Sequence, residues 1–308
     1  MGVQIILWLQ HFSSPVIDSA FRAISDLGSE AFYLAAVPIV FWSLNKRLGI
    51  GLTYVFLFSS WANAGLKGFF TTARPAVPVR NLYPESAAGY AFPSGHAQGS
   101  AAFWGFLATQ SRSRLFSLLA GLIIVLVGLS RVYLGVHWPA DVIGGTALGL
   151  GLSFVYAWLS GVTRGRRAPF AVRLVMGILV PLVMLFVYRG PDGPKIAGFL
   201  LGMAVGWAFE ERFVGFRPEG PFWAQVFKVA VGLGLLLGLR VGLKLVVGEG
   251  LWPDLGRYSF LGLWGAFIWP LIFVRLGLAQ AGPAHGGPAR AGVTHPGSPS
   301  SPQGPRPR

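Results

Sequence analysis

None of the 308 residues is a cysteine, and only 12% of them are charged. The first absence excludes a disulfide framework and a thiolate metal site, and leaves the redox compartment open. The second excludes an ordinary soluble domain, which carries about a quarter charged residues. Acids are scarcest: 11 Asp and Glu stand against 25 Lys and Arg, a formal net charge of +14. No basic run is interleaved with stacking aromatics, so the excess does not point to nucleic acid. The first residues also lack the charged stretch, short apolar run and cleavage site of a secretory signal peptide.

Hydrophobic residues make up 53% of the chain and the mean hydropathy is +0.59. Apolar runs near or above the roughly 18-residue spanning length recur along it. The expected fold class is therefore all-α, a polytopic bundle of membrane helices. The basic excess fits such a protein, because Lys and Arg collect in cytoplasmic loops and beside anionic lipid.

Residues 1–28 read as an interfacial amphipathic segment, with apolar residues at helical spacing interrupted by Asp18, Arg22 and Asp26. About nine spans follow. Five fall within residues 29–160: Glu30 to Leu44, Leu48 to Phe70, His96 to Gln110, Leu115 to Leu129 and Ala140 to Leu159. Four more lie within 161–280: Phe170 to Val187, Ile196 to Phe209, Phe222 to Val247 and Ser259 to Leu276. Residues 281–308 are Gly, Pro, Ala and Ser with scattered Arg, and read as a disordered cytoplasmic tail. His285 and His295 in that tail, and His11 near the start, read as solvated surface histidines.

Loop charges set the expected orientation. Lys46, Arg47, Arg112, Arg114, Arg164, Arg166, Arg167, Arg212 and Arg217 fall in connections on one side. The positive-inside rule assigns that side to the cytoplasm. Three polar blocks then face the periplasm or exterior: Lys67 to Pro75 (KGFFTTARP), Pro93 to His96 (PSGH) and Ser130 to Asp141 (SRVYLGVHWPAD).

The residue types in these blocks suit phosphate chemistry. His137 and Asp141 are four apart, on one helical face if the helix begins near Trp138, and Pro139 suits a first turn. A carboxylate on one ring nitrogen fixes the tautomer and frees the other nitrogen as a nucleophile. Gly95 lets a backbone approach a ligand, the helix N-terminus offers N–H groups to an anion, and Ser94 adds a hydroxyl. His96 is placed to protonate a leaving oxygen. Lys67, Arg74 and Arg131 bring a point charge and two planar forks to phosphate oxygens.

In order and spacing the blocks read K-x6-R-P, P-S-G-H and S-R-x5-H-x3-D, and they resemble the three-part signature of the type 2 phosphatidic acid phosphatase superfamily. The resemblance covers roughly Glu30 to Leu159. It implies a helical membrane core and a phosphatase that needs no metal or other cofactor and forms a phosphohistidine. By position it implies His137 as nucleophile, Asp141 orienting it and His96 as acid, then base. It implies Lys67, Arg74, Ser94, Gly95 and Arg131 as the phosphate cradle. The expected enzyme is a lipid phosphatase of the inner (plasma) membrane, with its site facing periplasm or exterior. Its expected partners are membrane lipids and a lipid phosphate or pyrophosphate substrate, among which undecaprenyl pyrophosphate suits an outward site. Two rivals use the same cations: a lipid phosphotransferase with a non-water acceptor, and a transporter that binds phospholipid without chemistry.

Overall fold

The computed structural model describes residues 1–163 and 168–282; Arg164, Arg166 and Arg167, and the tail with His285 and His295, lie outside them. The described chain is helical. Two short helices open it, α1 (Gly2–Gln10) and α2 (Pro15–Asp26), the second capped by the Ser14 hydroxyl with Pro15 in its first turn. Next come α3 (Glu30–Ile39), which ends in a π-helical turn at Val40–Leu44, and the long α4 (Lys46–Phe70). Then follow α5 (Gly95–Gln110), α6 (Arg114–Tyr133) and α7 (Pro139–Val162). The C-terminal half holds α8 (Phe170–Val187), α9 (Gly193–Phe209), α10 (Phe222–Val247), α11 (Leu251–Leu263) and α12 (Trp269–Arg275). A π-helical turn at Trp264–Ile268 joins the last two.

Nine spans are expected from the sequence, but five helical stretches among the described residues are long and apolar enough to cross a membrane. They are α6, α7, α8, α10 and the continuous run Leu251–Arg275; α2 with Glu30–Leu44 forms a sixth if a pair bent by 48° counts as one. Polar side chains explain part of the shortfall. α4 has the length but carries Thr53, Ser59, Ser60, Asn63 and Lys67, while α5 and α9 have only 16 and 17 residues.

Two apolar clusters hold the bundle. One joins Tyr33, Val40, Leu52, Val55, Phe103 and Phe106 of α3, α4 and α5. The larger packs Phe41 and Trp42 against Met203, Phe216, Trp269 and Phe273, so α3 and α4 serve as a wall shared by both halves. Close approach within the first half depends on small residues. A Cβ at Gly145 of α7 would lie 2.6 Å from the Ser94 carbonyl oxygen, so only glycine lets the α7 backbone reach the start of α5.

α1 and α2 do not simply float their apolar faces on the bundle. Asp18 accepts from the Tyr133 hydroxyl, Arg22 donates to the Leu82 carbonyl, and Ser25 and Asp26 accept from Arg131 and Tyr83. The polar face of α2 therefore docks on protein, and Val16, 79% exposed, points outward. His11 is exposed as expected.

Candidate active site

Helix direction alternates through α4, α5, α6 and α7, so the end of α4, the start of α5, the end of α6 and the start of α7 meet at one end of the bundle. All three polar blocks sit there. Thr71 takes a left-handed conformation (φ 48°) and terminates α4 one turn past Lys67. Between α6 and α7, Gly135 (φ 69°) makes the turn; a Cβ there would lie 2.2 Å from the Arg80 carbonyl oxygen. α7 then starts at Pro139, with Trp138 at its cap.

That cap orients the histidine. The Asp141 carboxylate accepts the Trp138 N–H at 2.8 Å and lies 3.4 Å from His137 Nδ1 with the same oxygen. On the ring's far side Arg74 Nη1 lies 3.2 Å from His137 Nε2 and donates to the Val136 carbonyl at 2.7 Å. A guanidinium has only protons to offer, so Nε2 presents its lone pair and Nδ1 carries the hydrogen toward Asp141. His137 is 2% exposed. Burial, then the charges of Arg131, Arg74 and Lys67, hold its pKa well below the ordinary histidine range. The imidazole is thus neutral at neutral pH.

The PSGH block joins through the backbone: the Ser94 N–H donates to the Asp141 carbonyl at 3.0 Å. Asn63 of α4 braces it, donating to the Pro93 carbonyl at 3.2 Å and to Gln98 Oε1 at 2.8 Å. The Ser94 hydroxyl is fully buried and has no partner among the described residues. A buried hydroxyl left unpaired costs free energy unless a ligand completes it. Gly95 and His96 form the first turn of α5, where backbone N–H groups lack helical partners.

The cations complete the arrangement. Arg131 is 0% exposed, donating to Ser25 Oγ of α2 at 2.5 Å and to the Ser86 carbonyl and hydroxyl at 3.1 and 3.0 Å; its Nε is unpartnered. Arg74 donates to the Ala88 carbonyl at 2.6 Å and the Gly89 carbonyl at 2.9 Å, and Lys67 donates to the Tyr90 carbonyl. One pentapeptide, Ser86 to Tyr90, thus offers neutral oxygens to all three cations. None of the three makes an ion pair among the described residues. A buried cation without a counter-charge is costly, so the site is electrostatically prepared for an anion. Among the described residues no three His, Cys, Asp or Glu side chains converge as a metal site would require.

The structure brings Lys67, Arg74, Ser94, Gly95, His96, Arg131, His137 and Asp141 to one end of the bundle. Sequence reasoning missed the shell around them. Ser25 and Ser86 hold Arg131, and Gln10 ties α1 to the Arg80 and Tyr133 carbonyls at 2.7 and 3.1 Å. A signal for α2 was present in the spacing of Asp18, Arg22 and Ser25, which share a helical face. Nothing in the sequence said that this face meets protein rather than water.

Comparison with known proteins bears on this arrangement. Residues 48–189 match the PAP2 superfamily profile, and residues 194–281 match a second one described as PAP2 superfamily phosphatase, transmembrane extension. Lipid phosphate phosphatase delta of Arabidopsis thaliana is 28% identical over 273 residues, covering 77% of this chain and 64% of that protein. Phosphatidylglycerophosphatase B of Bacillus subtilis is 32% identical over 154 residues, covering 46% of this chain and 74% of that one. A crystal structure of a transmembrane PAP2-type phosphatidylglycerolphosphate phosphatase from Bacillus subtilis overlays with a TM-score of 0.47 at 28% identity, covering 53% of this chain and 86% of that one. The chain, a multi-pass membrane protein whose relatives are named phosphatases, belongs to the PAP2 superfamily.

Proposed function

We propose that this protein is a membrane lipid phosphatase that works through a phosphohistidine, and that its substrate is a lipid phosphate or pyrophosphate. The carrying observation is the environment of His137: a buried neutral ring, Nδ1 toward Asp141, Nε2 toward Arg74, and cations without counter-charge around it.

In the first step His137 Nε2 forms a bond to phosphorus as the bond to the lipid oxygen breaks. His96 gives that oxygen its proton, and Asp141 holds the Nδ1 hydrogen as the ring becomes positive. In the second step the neutral His96 takes a proton from water, whose oxygen attacks phosphorus. The P–N bond breaks and free phosphate leaves. Phosphate oxygens take the places now filled by the carbonyls of residues 86–90 on Lys67, Arg74 and Arg131, and meet the free Ser94 hydroxyl and the Gly95 N–H. Positioning and charge stabilisation are what phosphoryl transfer chiefly demands.

The site faces the periplasm or exterior of an inner (plasma) membrane. Lys46, Arg47, Arg112, Arg114, Arg212 and Arg217 lie at helix ends opposite it, which supports that orientation. All nine helical units from α3 onward cross the bilayer, the short ones sheltered by neighbours, and α1–α2 lie at its outer surface. Phosphatidic acid, phosphatidylglycerol phosphate and undecaprenyl pyrophosphate are the candidate substrates, the last suiting an outward site in a bacterium.

The test is phosphate release by purified protein in detergent and EDTA, with these three lipids and His137→Ala as control. Release that survives EDTA and stops in the variant is expected, together with an acid-labile phosphoenzyme. Release undiminished in His137→Ala overturns the reading.

A further inference from the structure

A cavity of about 650 Å³ begins at Lys67 and His96 and runs down between the two halves of the molecule. α3 and α4 form one wall, and α9, α10 and α11 the other. Its upper end carries the charges: Lys67, Lys195 of α9 3.3 Å from Asp192, and Arg240 of α10 3.2 Å from Glu30. Below them the lining is largely apolar, and it closes on Trp42, Ile50, Met203 and Ala266. From Lys67 down to Ile50 the rise of α4 gives a depth of about 25 Å.

We propose that this cavity receives the hydrocarbon chain of the substrate, and that the C-terminal extension exists in part to wall it. The inference rests on the phosphatase reading, because the lipid phosphate held at Lys67 and His96 is what delivers a chain to the cavity mouth. The cavity is continuous with the phosphate-facing residues, its polarity falls with depth, and its length matches a long chain rather than a headgroup.

The experiment compares octadecyl phosphate, octyl phosphate and distearoyl phosphatidic acid as substrates in the same detergent. Each enzyme is characterised by its ratio of kcat/KM for octadecyl over octyl phosphate, so losses of folded protein cancel. The native enzyme is expected to favour octadecyl phosphate over octyl phosphate. Met203→Trp and, as a milder second filling, Ala266→Leu shorten the cavity from its closed end. They are expected to lower the octadecyl/octyl ratio by about tenfold and threefold while octyl phosphate is still hydrolysed. An unchanged ratio in both variants, or a native preference for octyl phosphate, overturns the proposal.

If no phosphate is released from any of the three, the phosphatase reading fails separately. The cavity is then tested by photo-crosslinking an octadecyl phosphate bearing a diazirine at its chain end. Labelling of peptides around Met203 and Ala266 supports the proposal, and labelling confined to the outer faces of α6 or α8 overturns it.

Discussion

Both halves of the molecule bury charge, but they settle it differently. In the C-terminal half most buried charges face opposite charges: both carboxylate oxygens of Glu210, 0% exposed, accept from Lys46 Nζ of α4 at 2.9 Å, Arg257 is paired with Asp254, and the half-buried Arg173 with Glu211. Even Lys228, buried without a carboxylate contact, donates to the Trp42 and Pro218 carbonyls and lies over the Phe273 ring. In the first half Lys67, Arg74 and Arg131 have only carbonyls, hydroxyls and a neutral imidazole. Pairing settles most of the extension's charge within the protein. The half proposed to be catalytic instead keeps its cations underpaired, which the proposed phosphate substrate would complete.

That contrast predicts opposite responses to neutralising a buried charge. Replacing Arg131 with Met removes a proposed phosphate ligand and an uncompensated buried cation together. Turnover is expected to fall by about a thousandfold, roughly 4 kcal/mol of barrier, with the melting temperature in detergent no lower than that of the native protein. A large loss of stability would show that Arg131 is chiefly a strut. The mirror experiment lies in the other half. Glu210→Gln strands Lys46 and is expected to destabilise the fold by roughly 3 kcal/mol, read as a lower melting temperature. The folded fraction should keep its kcat.

The sequence revealed the catalytic half better than the extension because the two kinds of charge leave different traces. Lys67, Arg74, His96, Arg131, His137 and Asp141 stand in fixed spacings at the ends of apolar runs, and the structure gathers them because α4 to α7 alternate in direction. The partners of Lys46 and Trp42 lie in α9 and beyond, with no local pattern linking them. Span counting suffered for a related reason. Helix α4 has the length of a span, but the polar residues that line its cavity side dilute its hydropathy. The orientation of α2 was hidden too, since amphipathic spacing defines two faces without saying which one meets protein.

Ser25 belongs to an N-terminal helix outside the three blocks, yet its hydroxyl accepts from Arg131 Nη1. Ser25→Ala leaves that guanidinium less well placed. The expected cost is about tenfold in kcat/KM, close to 1.4 kcal/mol, with Ser25→Thr restoring most of it. A packing role alone would lower stability without this rescue of kcat/KM.

The smallest expected effect is also the one that tests the electrostatic argument most directly. An ordinary histidine has a pKa near ~6.5, so its neutral fraction falls roughly tenfold between about pH 7.5 and 5.5. His137 lies well below that range, through burial first and then the Arg131, Arg74 and Lys67 charges. A depressed pKa means that the nucleophilic lone pair is lost only at still lower pH. Rapid-mix phosphoenzyme formation should therefore change by less than about twofold across this interval in the native protein. An acid limb centred near the ordinary histidine value would mean that the cations leave His137 unperturbed, and the contrast between the two halves would then lose its chemical consequence. Lys67→Gln removes one of those cations at the edge of the site, so its acid limb should move up in pH from wherever the native one lies, since one of the charges opposing protonation of His137 is gone.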